Sequence, residues 1–292
     1  MGVRLQEANV MGMTRKDFLK RLFQLSVLGV FPALYSWQIE PFWVEFVKKK
    51  LPVQNLPEAL KGKILMQISD LHVGNRFDWN YLIESFQQAK QFNPDFVVYT
   101  GDYVNHGTSE ECKDLEKVME NAVFGSSGTF GILGNHDYSK NWENLEYSEN
   151  ICRILENFGI TVLKNEQKEC HGLNFIGFED LWSPNFNPTK VMKDYDSSKA
   201  NIVLCHNPDV CDLDVWNGYQ GWILSGHTHG GQCRIPGIIT PILPVKNRKY
   251  VSGEIDLQDG RNLYINRAIG HSYQVRFMVR PEITVFTLTQ SI

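Results

Sequence analysis

Five short apolar runs recur along this chain, and each of them ends in a polar turn. They are KILMQIS (63–69), FVVYT (96–100), FGIL (130–133), NIVLC (201–205) and GWILS (221–225). Apolar runs of this length that are bounded by turns are typical of buried strands. Segments 81–92 and 112–123, between the first three runs, have helical spacing. We therefore expect an α/β domain whose sheet is largely parallel at its centre and buried on both faces.

The polar turns are expected to meet at one edge of the sheet, because ligands collect beyond the carboxyl ends of the strands in open α/β sheets. In chain order the turns contribute Asp70 with His72, Asp102, Asn135 with His136 and Asp137, His206, and His227 with His229. Oxygen and nitrogen donors of this kind, with no cysteine among them, suit Mn²⁺, Fe or Zn²⁺. The sequence therefore predicts a metal site at this edge.

Each turn taken alone also has a structural explanation. Asp-Leu-His can be a capped turn, and a single histidine such as His206 is more often structural than a ligand. The stretch GHTHGG (226–231) is more specific. Side chains alternate faces along a strand, so His227 and His229, two positions apart, can point the same way. The occurrence of all five turns after strand-like runs favours the metal site.

The order of these motifs resembles that of the calcineurin-like metallophosphoesterase family, which is D-x-H, G-D, G-N-H-D/E, a single H and G-H-x-H. The resemblance extends from about residue 42 to 290. It implies a four-layer α/β sandwich with two central mixed β-sheets flanked by helices, and a dimetal site at the carboxyl ends of the strands. Further strand patterns at 173–178, 249–255, 262–268 and 282–289 agree with this fold.

The resemblance also implies a ligand set for each of two ions. The first ion would be held by Asp70, His72, Asp102 and His229, and the second by Asp102, Asn135, His206 and His227. Two ions that share a carboxylate can hold a bridging hydroxide, which attacks phosphorus in line with the leaving oxygen. His136 would stabilise the phosphoryl oxygens or protonate the leaving oxygen, with Asp137 orienting its ring. We expect Mn²⁺, with Fe or Zn²⁺ as alternatives.

Within the family, the chain resembles a bacterial subgroup of membrane-associated or exported phosphodiesterases. The features that carry this resemblance are GHTHGGQ, the proline-rich apolar loop after it, and the RPEIT strand near the carboxyl end. The subgroup includes a UDP-2,3-diacylglucosamine pyrophosphatase, which releases 2,3-diacylglucosamine 1-phosphate and UMP in lipid A biosynthesis. We expect this activity. The alternatives are an exported general or cyclic-nucleotide phosphodiesterase and, less favoured, an inactive metal-binding scaffold.

The loop IPGIITPILP (235–244) has no charged residue. It is either a buried loop or an apolar lip that receives an acyl chain beside the metal site. The second interpretation predicts substrate contacts from Ile238, Ile239 and Ile242. Arginine suits phosphate oxygens, so Arg267, Arg276 and Arg280 are further candidates for binding the substrate.

The first 40 residues differ in composition from the rest. Basic residues precede Leu22 to Ile39, eighteen residues without a formal charge, which is near the lower limit for a spanning helix. We expect residues 1–40 to be a membrane anchor or interfacial segment, or else a removed signal or a docking helix, and 41–292 to be the catalytic domain. We expect the protein to be associated with the cytoplasmic side of a bacterial membrane. Because TRKDFLK resembles a twin-arginine signal, export is the alternative.

The overall charge of the chain bears on which partners it can bind. The formal net charge is −4 and the basic residues are scattered, so we expect no nucleic-acid partner. The expected partner is a phosphorylated substrate, best a lipid-linked nucleotide.

The six cysteines form no CxxC pair, in a chain too large to need disulfides. We expect them to be reduced structural thiols.

Overall fold

The computed structural model describes residues 14–74, 78–235 and 243–291. Its first sheet has six strands, which in spatial order are β1 (Glu45–Val53), β12 (Glu282–Gln290), β2 (Ile64–Ile68), β3 (Phe96–Thr100), β4 (Gly128–Ile132) and β5 (Thr161–Val162). Strands β2 to β5 are parallel, whereas β12 runs antiparallel to β2 and parallel to β1. The sheet is therefore mixed.

The second sheet also has six strands, in the order β10 (Gly253–Asp256), β11 (Arg261–Ile265), β9 (Gly221–Ser225), β8 (Ala200–Leu204), β7 (Leu173–Gly177) and β6 (Glu166–Cys170). Its four inner strands are parallel, and both edge strands are antiparallel to their neighbours. The five apolar runs found in the sequence are thus divided between two sheets, three in the first and two in the second.

The helices are α1 (Arg15–Leu25), α2 (Phe31–Gln38), α3 (Asn80–Lys90), α4 (Ser109–Met119), α5 (Leu145–Asn157) and α6 (Pro188–Met192). Strand alternation explains the layers. Phe96 and Val98 of β3 pack in a core shared with the second sheet, whereas Val97 and Tyr99 pack against α3 to α5. The outer face of the second sheet is covered by α6 and by loops. The four-layer sandwich with two mixed central sheets is confirmed.

The amino-terminal helices carry many exposed apolar side chains. Helix α1 buries none of its residues, and Phe23 and Leu25 are each 68% exposed. Helix α2 contacts the rest of the protein through its carboxyl end, where the Arg276 amide donates to the Ser36 carbonyl at 2.9 Å. No helix in the described part of the chain is both long enough and apolar enough to cross a membrane.

Candidate active site

The polar turns adopt conformations that strands and helices do not use. Five residues of the predicted metal site have positive φ angles, between 48° and 69°: Asp70, His72, Asp102, His227 and His229. Left-handed backbone of this kind is costly for non-glycine residues, and it is concentrated at functional sites. The turns must also approach each other closely, since a Cβ atom at Gly101 or Gly134 would lie 2.7 Å from an atom of the His206 ring. These two glycines therefore let the turns meet.

One group of possible ligands is formed by Asp70, His72 and His229, which are all buried. The Nε2 atoms of the two histidines are 2.9 Å apart. His229 Nε2 lies 3.2 Å from Asp70 Oδ1, and His72 Nε2 lies 3.9 Å from the same oxygen. The nitrogen and oxygen atoms thus converge on one point, as ligands of an ion would.

A second group is formed by Asp102, His206 and His227. Asp102 Oδ2 lies 3.2 Å from His206 Nε2, and His206 Nε2 lies 3.3 Å from His227 Nδ1. The same oxygen of Asp102 is 3.6 Å from His72 Nε2 of the first group. The Asp102 carboxylate therefore lies between the two groups and can serve both.

In the second group, the histidine nitrogens that face away from the other ligands lie close to carbonyl oxygens. Nδ1 of His206 lies 2.7 Å from the Thr100 carbonyl oxygen, and Nε2 of His227 lies 2.9 Å from the Pro244 carbonyl oxygen. A carbonyl oxygen accepts a hydrogen bond only from a protonated nitrogen. In a neutral ring the other nitrogen then carries the lone pair and faces the group, which is the arrangement found in metal-binding histidines.

Two further observations fit bound divalent ions. The side-chain oxygen of Asn135 is buried, and it has no hydrogen-bond partner within the described residues. Burial and His206 lower the pKa of His227 to about 3, so its ring is neutral, as a ligand must be. Burial would raise the pKa of Asp70, but His229 outweighs it and lowers the pKa to about 2. The residues present are able to bind metal ions.

His136 is half-buried beside both groups, and its ring is oriented differently from our expectation. Its Nδ1 lies 2.6 Å from the carbonyl oxygen of Asn105. The carboxylate of Asp137 instead accepts hydrogen bonds from backbone amides, at 2.9 Å from Asp102, 2.8 Å from Tyr103 and 2.8 Å from Gly134. The prediction that Asp137 orients the ring is wrong in this geometry, because both carboxylate oxygens are occupied by the turns they brace. Asn105 orients the ring.

The prediction that His227 and His229 point the same way because they lie on a strand is also wrong. Strand β9 ends at Ser225, so neither histidine lies on a strand. Their side chains do not share a face by strand alternation. They reach different groups because the backbone turns sharply between them, with φ angles of 69° and 51° at the two histidines.

The guanidinium groups of the three candidate arginines are engaged by carboxylates and carbonyls outside the two metal groups. Arg267 pairs with Glu45 and Glu282, and Arg280 donates to the carbonyls of Trp43 and Val44. Arg276 is fully buried and donates to four backbone carbonyls, those of Arg267, Ala268, Gly270 and Val279. These contacts give all three arginines structural roles, and their predicted contact with substrate stays a prediction. Ile238, Ile239 and Ile242 lie outside the described residues.

Sequence reasoning missed an acidic turn at the same edge. Strand β7 ends at Gly177, and Glu179 and Asp180 follow it, both buried. Burial raises the pKa of Glu179 to about 7 and that of Asp180 to about 6. The signal was present in the sequence, because the run at 173–178 also ends in acidic residues, as the runs before Asp70 and Asp102 do.

Comparison with known proteins agrees with the geometry. The Calcineurin-like phosphoesterase family matches residues 64–231. The chain is 30% identical over 264 residues to Phosphodiesterase YaeI of Escherichia coli (strain K12), which covers 87% of this chain and 92% of that protein. It is 26% identical over 287 residues to the uncharacterized metallophosphoesterase YkuE of Bacillus subtilis (strain 168), covering 94% and 98%.

A third relative is the UDP-2,3-diacylglucosamine pyrophosphatase LpxG of Chlamydia trachomatis. It is 26% identical over 283 residues, covering 78% of this chain and 85% of that protein. The family match includes Asp70, Asp102, His136 and both histidines of the GHTHGG turn. The chain belongs to the calcineurin-like phosphoesterase family, and it is a metal-dependent hydrolase of phosphoric esters.

Proposed function

We propose that the chain cleaves a phosphodiester or pyrophosphate bond with two divalent ions, one in each group of ligands. The observation that carries this proposal is the position of Asp102, whose Oδ2 lies 3.6 Å from His72 Nε2 and 3.2 Å from His206 Nε2. A single carboxylate between two sets of imidazoles is the arrangement that lets two ions lie about 3.5–4 Å apart.

The proposed ligands are the ones implied by the family resemblance. Asp70, His72 and His229 would complete the first site with Asp102, and Asn135, His206 and His227 would complete the second with the same carboxylate. The oxygen and nitrogen donors favour Mn²⁺, with Fe or Zn²⁺ as alternatives. Bound ions would activate a water molecule and neutralise charge on the phosphoryl oxygens.

His136 is the proposed proton donor to the leaving oxygen. Its Nδ1 donates to the Asn105 carbonyl, so Nε2 is the nitrogen left for chemistry. Its ring packs edge-on against His72 at a centroid distance of 4.8 Å, which places it beside the first group of ligands. A half-buried imidazole in this position can reach a substrate oxygen and exchange protons with solvent.

For the substrate, we propose UDP-2,3-diacylglucosamine, cleaved to 2,3-diacylglucosamine 1-phosphate and UMP in lipid A biosynthesis. Support comes from the relative LpxG, whose name gives this activity and which aligns over 85% of its length. The exposed apolar side chains of α1 also suit an enzyme that meets its substrate at a membrane surface. We propose that this segment attaches the protein to the cytoplasmic face of a bacterial membrane, with export as the alternative.

A second candidate is a general or cyclic-nucleotide phosphodiesterase. The relative YaeI, named a phosphodiesterase and 30% identical to this chain, favours it. A catalytically inactive metal-binding protein is disfavoured, because the ligand groups and His136 are all in place.

Product analysis by mass distinguishes the two candidates. Purified full-length protein with added Mn²⁺ is incubated with UDP-2,3-diacylglucosamine, UDP-glucosamine, cyclic AMP and bis-p-nitrophenyl phosphate, with Asp102→Ala as the inactive control. The proposal predicts UMP and 2,3-diacylglucosamine 1-phosphate, formed much faster than UMP from UDP-glucosamine. Cleavage of cyclic AMP or the synthetic diester without cleavage of the acylated nucleotide would instead favour the second candidate.

A further inference from the structure

Two tryptophans lie in a row beside the candidate metal site. The ring of Trp182 packs edge-on against His227, with centroids 4.8 Å apart and an angle of 78° between the planes. Trp142 packs on Trp182 at 4.5 Å, with only 31° between the two planes. Trp142 is 38% exposed. The two indoles therefore extend from a proposed metal ligand to the protein surface.

The backbone that carries Trp142 is strained. It follows the turn that contains His136, and Ser139, Asn141 and Trp142 have φ angles of 63°, 64° and 58°. A left-handed conformation is unfavourable for a bulky residue such as tryptophan, and strain of this kind is concentrated at functional sites. Burial does not explain it, because much of the indole remains in solvent.

The groove at the tryptophans has the size of a small-molecule site, and its lining combines apolar indole surface with a few polar groups. Its volume is about 580 Å³, and it is lined by Lys140, Asn141, Trp142, Glu143 and Trp182. Pockets for small molecules have volumes of about 300–1,000 Å³. The two indoles offer flat faces on which a heterocycle can lie, and the ammonium, amide and carboxylate groups of Lys140, Asn141 and Glu143 can hydrogen-bond its edge.

We propose that Trp142 and Trp182 form an aromatic platform that binds the nucleobase of a nucleotide substrate while its phosphate lies at the metal ions. This inference rests on the proposed nucleotide chemistry, and it adds the residues that would recognise the base. A base stacked on the indoles would lie between His227 on one side and solvent on the other. The groove would thus hold the part of the substrate that leaves as the nucleotide.

Binding measured by calorimetry tests the platform without relying on turnover. Full-length protein with Mn²⁺ is titrated with UMP and with ribose 5-phosphate, which has the same sugar and phosphate but no base. Stacking on an aromatic side chain predicts that UMP binds about 5- to 150-fold more tightly. Trp142→Ala should remove most of this ratio, and Trp142→Phe should retain much of it. Trp37→Ala, at a residue 53% exposed on α2, should leave the ratio unchanged.

The outcomes separate this inference from the proposed substrate. Equal binding of UMP and ribose 5-phosphate by the unmutated protein would overturn the platform, whether or not UDP-2,3-diacylglucosamine is cleaved. A Trp142→Ala variant of normal metal content and unfolding temperature that keeps the full ratio would overturn it as well. If Trp142→Ala binds 2,3-diacylglucosamine 1-phosphate more weakly than the unmutated protein does but binds UMP equally well, the groove holds an acyl chain and the platform is overturned. A base preference that depends on Trp142 supports the platform even where the acylated nucleotide is not a substrate.

Discussion

The Nδ1 atom of His136 lies 2.6 Å from the backbone carbonyl oxygen of Asn105. This contact fixes the ring through the backbone of the turn that follows Asp102, so the orientation of the proposed acid does not depend on a side-chain carboxylate. The proposed acid and the proposed bridging ligand are also joined directly, since the His136 amide donates to Asp102 Oδ1 at 2.8 Å. Their spacing is therefore set by the protein before substrate binds.

Replacing the ring should damage catalysis more than metal binding. We expect His136→Asn to lower kcat by about 10²- to 10⁴-fold, the usual contribution of a positioned proton donor. Metal content, measured by elemental mass spectrometry, should remain near that of the unmutated protein. His171→Asn is the matched control, because His171 is exposed and lies before the start of β7, away from the carboxyl ends of the strands. Loss of an ion from His136→Asn would make this residue a ligand.

Asp137 should matter for stability, because it accepts hydrogen bonds from the backbone of two turns. Replacing it by Asn leaves one oxygen and places an amide group against backbone N–H donors. We expect a loss of about 1–3 kcal/mol in the free energy of unfolding, measured in urea. Exposed Asp194→Asn should change this free energy very little. Unchanged stability together with lost activity would return Asp137 to a direct catalytic role.

The shared position of Asp102 predicts an asymmetry among ligand variants. Asp102→Ala should lose affinity for both ions and nearly all activity, whereas Asn135→Ala should weaken one site and retain some activity at high Mn²⁺. The measurement is metal content after dialysis against buffers of rising free Mn²⁺. Two tightly bound ions in Asp102→Ala would show that the carboxylate does not connect the groups.

The exposed apolar face of α1 should control membrane attachment. Replacing Leu22 and Phe23 by Ser should lower the fraction of protein that floats with anionic phospholipid vesicles, without changing cleavage of bis-p-nitrophenyl phosphate. Replacing Leu213 and Phe124, each 38% exposed on the catalytic domain, by Ser is the matched control. Equal flotation of both variants would move the attachment to another surface.

A deletion that tests the same segment should end before Glu40. This residue is buried, and its carboxylate accepts hydrogen bonds from the amides of Met278 and Val279, at 2.9 Å and 2.5 Å. Removing all of residues 1–40 would leave those amides without an acceptor, whereas removing residues 1–30 keeps α2 and Glu40. We expect only the shorter deletion to retain the thermal stability of the full chain.

Strands with continuous apolar sequence could be predicted, whereas the edge strands β1 and β6 could not. β3 coincides with FVVYT and β9 with GWILS, because both are buried on two faces. β1 was missed, since EFVKKKLPV lies at an edge of the first sheet and alternates exposed lysines with inward residues. β6, with the sequence EQKEC, was missed for the same reason.

The residues of the candidate site could be located from the sequence, but the hydrogen bonds and ring contacts that orient them could not. The turns after the apolar runs place Asp70, Asp102 and His206 near one another in the structure, as their position after strands indicates. The role of Asn105 depends on a backbone carbonyl, which no side-chain pattern reveals. Trp142 and Trp182 meet across about 40 residues of sequence, and nothing local marks them as partners.

Titration of metal-free protein with Mn²⁺ tests the two-ion proposal most directly. Bound metal and cleavage of bis-p-nitrophenyl phosphate are measured on the same samples. Two ions per chain should bind, and activity should follow occupancy of the second ion, because both groups of ligands take part in phosphoryl transfer. Asn135→Ala should shift the second binding step to higher Mn²⁺ and shift activity with it. Full activity at one ion per chain, or activity in metal-free protein, would contradict a shared role for Asp102 between two ions.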